Sequence, residues 1–297
     1  MAISNIILLL VGLILLIKGS DVFVSTSAKL AKKFNVSGLV IGLTVVALGT
    51  SIPELASAIT AMIKGAPGLV VGNIIGSNIA NIGLIIGIAA LFHSLKADNK
   101  IYYRDIYILV FSSVLFYLLA FSGLLYRIEG IFFLLLYLVY IFFLFATKDE
   151  KTKKYKFRHF LDYFLGFKYV TSFRKSTIKS LKTPKEKWTK KEVKDISLIK
   201  QALWGDILII IVSIVAITFG ARYLVTGSIW LAEIFSIPQS LVGLSVIAIG
   251  TSLPELSVSI TAARKGLGDI VIGNIIGSNI ANTWLVLGVA SLIGPIQ

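Results

Sequence analysis

Apolar runs close to 20 residues recur along this chain. A run of that length spans the hydrocarbon core of a bilayer as a helix. Eight spans are expected, at roughly 4–24, 37–62, 68–92, 105–124, 128–146, 205–226, 237–263 and 269–293. The runs are continuous rather than alternating, which argues against a transmembrane β-barrel. The expected fold class is therefore all-α, an integral membrane protein built as a transmembrane helix bundle. A charged fraction of 15%, against about a quarter in soluble domains, and a mean hydropathy of +0.89 agree with that. The first run, Ile6 to Leu16, lacks a basic leader and a small-residue cleavage site, so it reads as part of the first span rather than a signal peptide.

The polar stretch 147–204 divides the chain into a five-span unit, 1–146, and a three-span unit, 205–297. The net charge is +14, and most of the excess lies in 148–200. Beside membrane spans such a block marks the cytoplasmic face, so it is not read as a nucleic-acid site. Lys29, Lys32 and Lys33, then Lys96, Lys100 and Arg104, then the seventeen basic residues of the linker, then Arg264 and Lys265 all fall on one side if the N-terminus is outside. The opposite side receives only Lys64 and Arg127, with Arg222 near the end of the sixth span. The expected location is a cell membrane, with the linker cytoplasmic. The linker stretch Phe157 to Val170 mixes aromatics with charges, fitting either the inner membrane surface or a partly ordered linker. The chain has no cysteine, which excludes disulfides and thiolate metal sites.

The chain also repeats itself. Residues 42–87 align without gaps on 243–288, with 28 of 46 positions identical. GTSIPEL at 49–55 matches GTSLPEL at 250–256, and GNIIGSNIAN occurs unchanged at 72–81 and 273–282. Five spans separate the two copies. The number is odd, so the copies run through the membrane in opposite directions. Inverted repeats of this kind hold transported ions near the midplane, at the interface between repeats.

Each copy carries a glutamate inside an apolar span, Glu54 and Glu255. A carboxylate at the bilayer centre costs at least ~2.5 kcal/mol and is turned inward, paired or functional. Pro53 and Pro254 precede them and are expected to break the helix, freeing carbonyls near Ala47 to Gly49 and Ala248 to Gly250. Thr50 and Ser51 lie four and three residues before Glu54, on one helical face, as Thr251 and Ser252 do before Glu255. Ser77 and Asn81 are four apart, as are Ser278 and Asn282. Carboxylate, hydroxyl, amide and carbonyl oxygens suit hard cations such as calcium, magnesium or sodium, and disfavour zinc or copper. The glycine pairs Gly72/Gly76 and Gly273/Gly277 are expected to press the third and eighth spans against the broken ones. Asn78 and Asn279 fit either an ion contact or a bond between helices. His93 reads as interfacial, and Lys18 with Asp21 as a snorkelling pair, with gating as the alternative.

The G-T-S-[IL]-P-E and G-N-I-I-G-S-N-I blocks resemble the two alpha-repeats of the sodium/calcium exchangers, in the cation/calcium exchanger superfamily. The resemblance covers all eight spans. It implies ion coordination by Glu54, Asn81, Glu255 and Asn282, completed by Ala47, Thr50, Ser51, Ser77, Ala248, Thr251, Ser252 and Ser278. It implies alternating access, with the first and sixth spans sliding across the remaining helices. It implies a secondary antiporter rather than an enzyme, with no cofactor and with calcium and sodium as cargo. The chain departs from the family in two ways. Asn282 stands where several members carry aspartate, leaving two carboxylates to match one calcium ion. The usual ten spans also outnumber these eight, so a truncated sequence or two dispensable spans is expected. The linker lacks clustered acids, so calcium sensing there is not expected. Competing readings are calcium/proton exchange on the same scaffold, a passive cation channel and a non-transporting fragment.

Overall fold

The computed structural model describes residues 2–34, 36–63, 65, 67–95, 104–121, 123–147, 157–167, 190–234 and 239–296. Every expected span appears as helix: α1 (Ala2–Lys33), α2 (Gly38–Thr50) with α3 (Ile52–Ile63), α4 (Pro67–Phe92), α5 (Ile106–Ala120), α6 (Arg127–Ala146), α8 (Lys190–Ile234), α9 (Gln239–Arg264) and α10 (Gly268–Ile293). The short α7 (Phe157–Leu165) lies in the linker. Among the described residues the only strand-like pairing is one bridge between Leu125 and Ile296. Among the described residues, five helices are long and apolar enough to cross a membrane, and the bent α2/α3 pair makes a sixth. The sixth span is the apolar middle of a longer helix, because α8 spans 45 residues, about 68 Å, and starts inside the linker.

Local chemistry fixes several ends. Ser37 caps α2 by accepting from the Val40 N–H at 3.3 Å. Pro67 opens α4, where its missing N–H costs nothing. Glu129 accepts from the Tyr126 N–H at 3.0 Å and closes a capping box on α6. Gly65 and Gly266, at equivalent repeat positions, end α3 and α9 with φ of +69° and +70°, a conformation that side chains with a Cβ adopt poorly.

Two packing systems organise the bundle. In the first, α1 lies against α8. A Cβ on Gly220 would stand 2.8 Å from the Leu16 nitrogen and 2.9 Å from the Gly12 oxygen, so the backbones meet there with no room for a side chain. Ion pairs from Lys29 and Lys33 to Asp206 tie the same two helices together. Their outward rows, Leu10, Ile14 and Ile17 on α1 and Leu208, Val212 and Val215 on α8, are exposed and apolar, as a hydrocarbon environment favours. In the second system, α2 of one repeat is pressed onto α10 of the other. A Cβ on Gly273 would lie 2.7 Å from the Leu39 oxygen, and one on Gly277 would lie 2.7 Å from the Ala47 Cβ. The expected glycine contact is therefore real for α10. For Gly72 on α4, no described atom lies within 4 Å of the same position.

Two expectations need correction. Proline was to break both repeats, but only the first bends, by 42° where α2 meets α3 at Ser51. In the second, Pro254 sits inside a continuous α9. Proline removes a single intrahelical bond, and packing decides whether the helix bends or absorbs the defect. Nor do Lys18 and Asp21 form a pair of their own: Asp21 bonds Lys265 at 2.8 Å, linking α1 to the loop after α9. His93 lies at the end of α4 beside Gly266 and Gly268, apart from the expected site residues.

The linker helix α7 packs its aromatic face on protein. Phe160 and Tyr163 are buried, and the Phe160 ring stacks on Trp284 of α10 at 6.2 Å. Trp284 also meets Tyr140 of α6 edge-on at 6.0 Å.

Candidate ion site

Four helical segments carry the expected site residues: the α2/α3 bend and α4 from the first repeat, α9 and α10 from the second. Glu54 lies in the first turn of α3, so the N-terminal end of that helix dipole faces its carboxylate. Glu54 and Glu255 are both fully buried and close enough to sense each other's charge. Neither takes part in a salt bridge among the described residues. Both Glu54 oxygens lack a hydrogen-bond partner, and so does Glu255 Oε2; Glu255 Oε1 accepts from the Ser51 hydroxyl at 3.5 Å. Ser77 lies beside the Glu54 carboxylate outside hydrogen-bonding geometry, while Thr50, Ser51 and Ser278 surround that of Glu255. Buried carboxylates left without partners are costly unless a cation completes them.

Asn81 and Asn282 occupy equivalent places and behave alike. Each is fully buried, and each has a side-chain oxygen with no partner. Each lies in a π-helical turn, Ala80–Ile85 in α4 and Asn282–Val286 in α10. π-Turns are frequent at functional sites, and nothing in the sequence pattern marks them. A third, Gly42–Val46, interrupts α2.

The hydroxyls are held by amides that sequence reasoning missed. Thr50 donates to Asn274 Oδ1 at 3.1 Å, and Thr251 donates to Asn73 Oδ1 at 3.1 Å, each bond crossing from one repeat to the other. Thr50 also meets Ser278 at 3.3 Å, and Thr251 meets Ser77 at 3.3 Å. These bonds aim the threonine hydrogens at protein and leave hydroxyl lone pairs for a cation. The signal was available in sequence, since Asn73 and Asn274 lie four residues before Ser77 and Ser278 in the duplicated block. Ser252 Oγ is buried with no partner. The Ala47 carbonyl accepts from the Ser51 N–H at 3.0 Å and lies 3.3 Å from the Thr50 hydroxyl, an alternative acceptor for its one hydrogen, while the carbonyl that loses its donor to Pro53 is that of Gly49, four residues back. The Ala248 side chain lies outside the described residues.

The structure thus outlines a candidate site in which hydrogen bonds join Ser51 to Glu255, Thr50 to Ser278 and Ser77 to Thr251 across the repeats, while Glu54, Asn81, Asn282 and Ser252 are buried on the same helices with side-chain oxygens left unpartnered. Its donor set is all oxygen. Among the described residues no group of three or more His, Cys, Asp or Glu assembles, so amides and hydroxyls must supply what two carboxylates do not. Such a set suits a hard cation of flexible coordination.

A protein-family model described as sodium/calcium exchanger protein matches residues 4–146 and 206–297. Sodium/calcium exchanger MaX1 of Methanosarcina acetivorans is 44% identical over 294 residues, which is 99% of this chain and 84% of that relative. Inner membrane protein YrbG of Escherichia coli is 34% identical over 97% of this chain and 79% of its own length. A solved structure of the sodium-calcium exchanger NCX_Mj, soaked with 2.5 mM Na+ and 1 mM Sr2+, superposes with a TM-score of 0.76 at 30% identity, covering 100% of this chain and 84% of that one.

Proposed function

Because this chain belongs to the sodium/calcium exchanger protein family, we propose that its buried oxygen cluster is the site at which calcium and sodium take turns during exchange across the membrane. The observation that supports this reading is that both inverted repeats carry buried oxygens without partners: Glu54 and Asn81 in one, Glu255 and Asn282 in the other. Two carboxylates match the charge of one calcium ion. Thr50, Ser51, Ser77, Thr251, Ser252 and Ser278 add neutral oxygens, and the carbonyls of Ala47 and Ala248 complete the set.

Exchange follows from the same electrostatics. An empty site carries two buried negative charges, and rearranging around them in a low-dielectric interior is unfavourable. One divalent or several monovalent ions remove that obstacle. The protein therefore turns over loaded and resists turning over empty, which couples the two fluxes. The moving part is the α1/α8 pair, whose glycine-lined contact holds it together as one body. Its side-chain links to the rest of the bundle include Ser20 to Ser257 at 2.8 Å and Lys265 to Asp21 at 2.8 Å. The lysine and arginine distribution supports an orientation with the N-terminus outside and residues 147–204 in the cytoplasm. Membrane lipids cover the exposed apolar rows.

The test is calcium uptake by the purified chain in proteoliposomes under an outward sodium gradient, an outward proton gradient, or none. Uptake driven by sodium supports the proposal. Uptake driven equally by protons indicates calcium/proton antiport, and uptake with no gradient indicates a channel.

A further inference from the structure

The amides of Asn81 and Asn282 can serve a cation only if their oxygens, and not their NH2 groups, point at it. A chain of hydrogen bonds settles both orientations. It begins at Thr283, whose hydroxyl donates to the Asn279 carbonyl at 2.9 Å. With its one hydrogen committed, that hydroxyl can only accept from the side. Asn78 meets it through Nδ2 at 3.3 Å. The Asn78 Oδ1 must then face the other way, where it accepts from Asn282 Nδ2 at 3.2 Å. With its NH2 group engaged, Asn282 turns Oδ1 away from Asn78.

The second arm works the same way. Asn279 Nδ2 donates to the Asn78 carbonyl at 3.4 Å, which leaves Asn279 Oδ1 to accept from Asn81 Nδ2 at 2.8 Å. Asn81 is thereby held with Oδ1 unpartnered and buried. Every bond from Asn78 or Asn279 to a ligand amide joins one repeat to the other. Thr283 has no counterpart in the first repeat, where Ile82 stands at the equivalent position. The threonine anchor therefore serves only the arm that ends at Asn282.

We propose that Asn78, Asn279 and Thr283 are positioning residues that hold the two site amides oxygen-inward, acting on the ion only through Asn81 and Asn282. This rests on the proposed ion site and adds to it. It has a consequence that ordinary packing lacks. A carboxylate presents oxygen on both sides and needs no orientation, so replacing the ligand asparagine by aspartate makes its positioning residue unnecessary.

The experiment is calcium titration of the purified full-length chain by calorimetry. Asn279→Leu is measured alone and with Asn81→Asp, and Asn78→Leu alone and with Asn282→Asp. Losing one orienting bond weakens calcium binding by about threefold to tenfold in the single variants. In the aspartate backgrounds the same leucine substitutions leave calcium affinity unchanged or raise it. An equal loss in both backgrounds indicates a packing role and overturns the proposal. Thr283→Val, which changes little volume, covers the case in which the leucine variants do not fold. It weakens binding by itself and has no effect with Asn282→Asp, and equal effects again overturn the proposal. Asn81→Leu with unchanged calcium affinity overturns the ion site itself, a result distinct from failure of the relay alone.

Discussion

Replacing Glu54 by glutamine separates the cost of losing a ligand from the cost of losing a structural bond. The two side chains have nearly the same shape, and neither Glu54 oxygen makes a hydrogen bond that glutamine would break. What changes is charge. With calcium bound, one of the two compensating carboxylates disappears from a fully buried site. Removing one partner from a buried charge pair costs about 3–5 kcal/mol, or roughly two to four orders of magnitude in affinity at 1.4 kcal/mol per decade. The ion-free protein should respond in the opposite direction. It loses a buried, unpaired negative charge whose presence opposes folding, so its thermal stability in chelator should hold or rise. Glu54→Gln is therefore expected to abolish sodium-driven calcium uptake in proteoliposomes and to weaken equilibrium calcium binding at least a hundredfold, while melting no lower than the parent in chelator. Near-normal transport would refute the ligand assignment. Lost transport together with a lower melting temperature in chelator would show that Glu54 serves the fold instead.

Glu255→Gln should also abolish exchange, but Glu255 accepts from Ser51 at 3.5 Å, so some of its effect should appear as lost stability in chelator. Asn282→Asp adds a third negative charge, which attracts a divalent ion more than a monovalent one because Coulomb energy scales with the product of charges; calcium titration in the presence of sodium should show tighter calcium binding, and unchanged affinity would remove Asn282 from the site. Gly273→Ala places a Cβ 2.7 Å from the Leu39 oxygen and 2.8 Å from the Gly42 Cα, backbone atoms that cannot swing aside; the cost is about 1–3 kcal/mol, read as a lower melting temperature and poorer yield of monodisperse protein. Single cysteines at Ser172 and Ser4, in a chain that has none, should react with an impermeant thiol reagent on intact cells at Ser4 only; labelling at Ser172 alone would reverse the topology.

Much of this protein was legible without coordinates. Apolar run length fixes where helices cross, because hydrocarbon offers the backbone no partners outside the helix. The fifth expected span, 128–146, and the helix Arg127–Ala146 differ by one residue at the start. The duplicated blocks, separated by an odd number of spans, identified the inverted repeat and the two carboxylates on which the site is built. What periodicity cannot carry is how each copy responds to its neighbours. Pro53 and Pro254 look alike in sequence, yet one copy bends and the other stays continuous, because the surrounding packing differs. The π-turns that hold Asn81 and Asn282 leave no mark in residue order. The pairing of Thr50 with Asn274 joins residues 224 apart, and that of Asn81 with Asn279 joins residues 198 apart. Sequence thus determined which oxygens the chain owns and which spans carry them. Only the tertiary structure decided which of them remain free, because a polar atom's availability depends on what packs beside it, and at this site the neighbour comes from the other repeat.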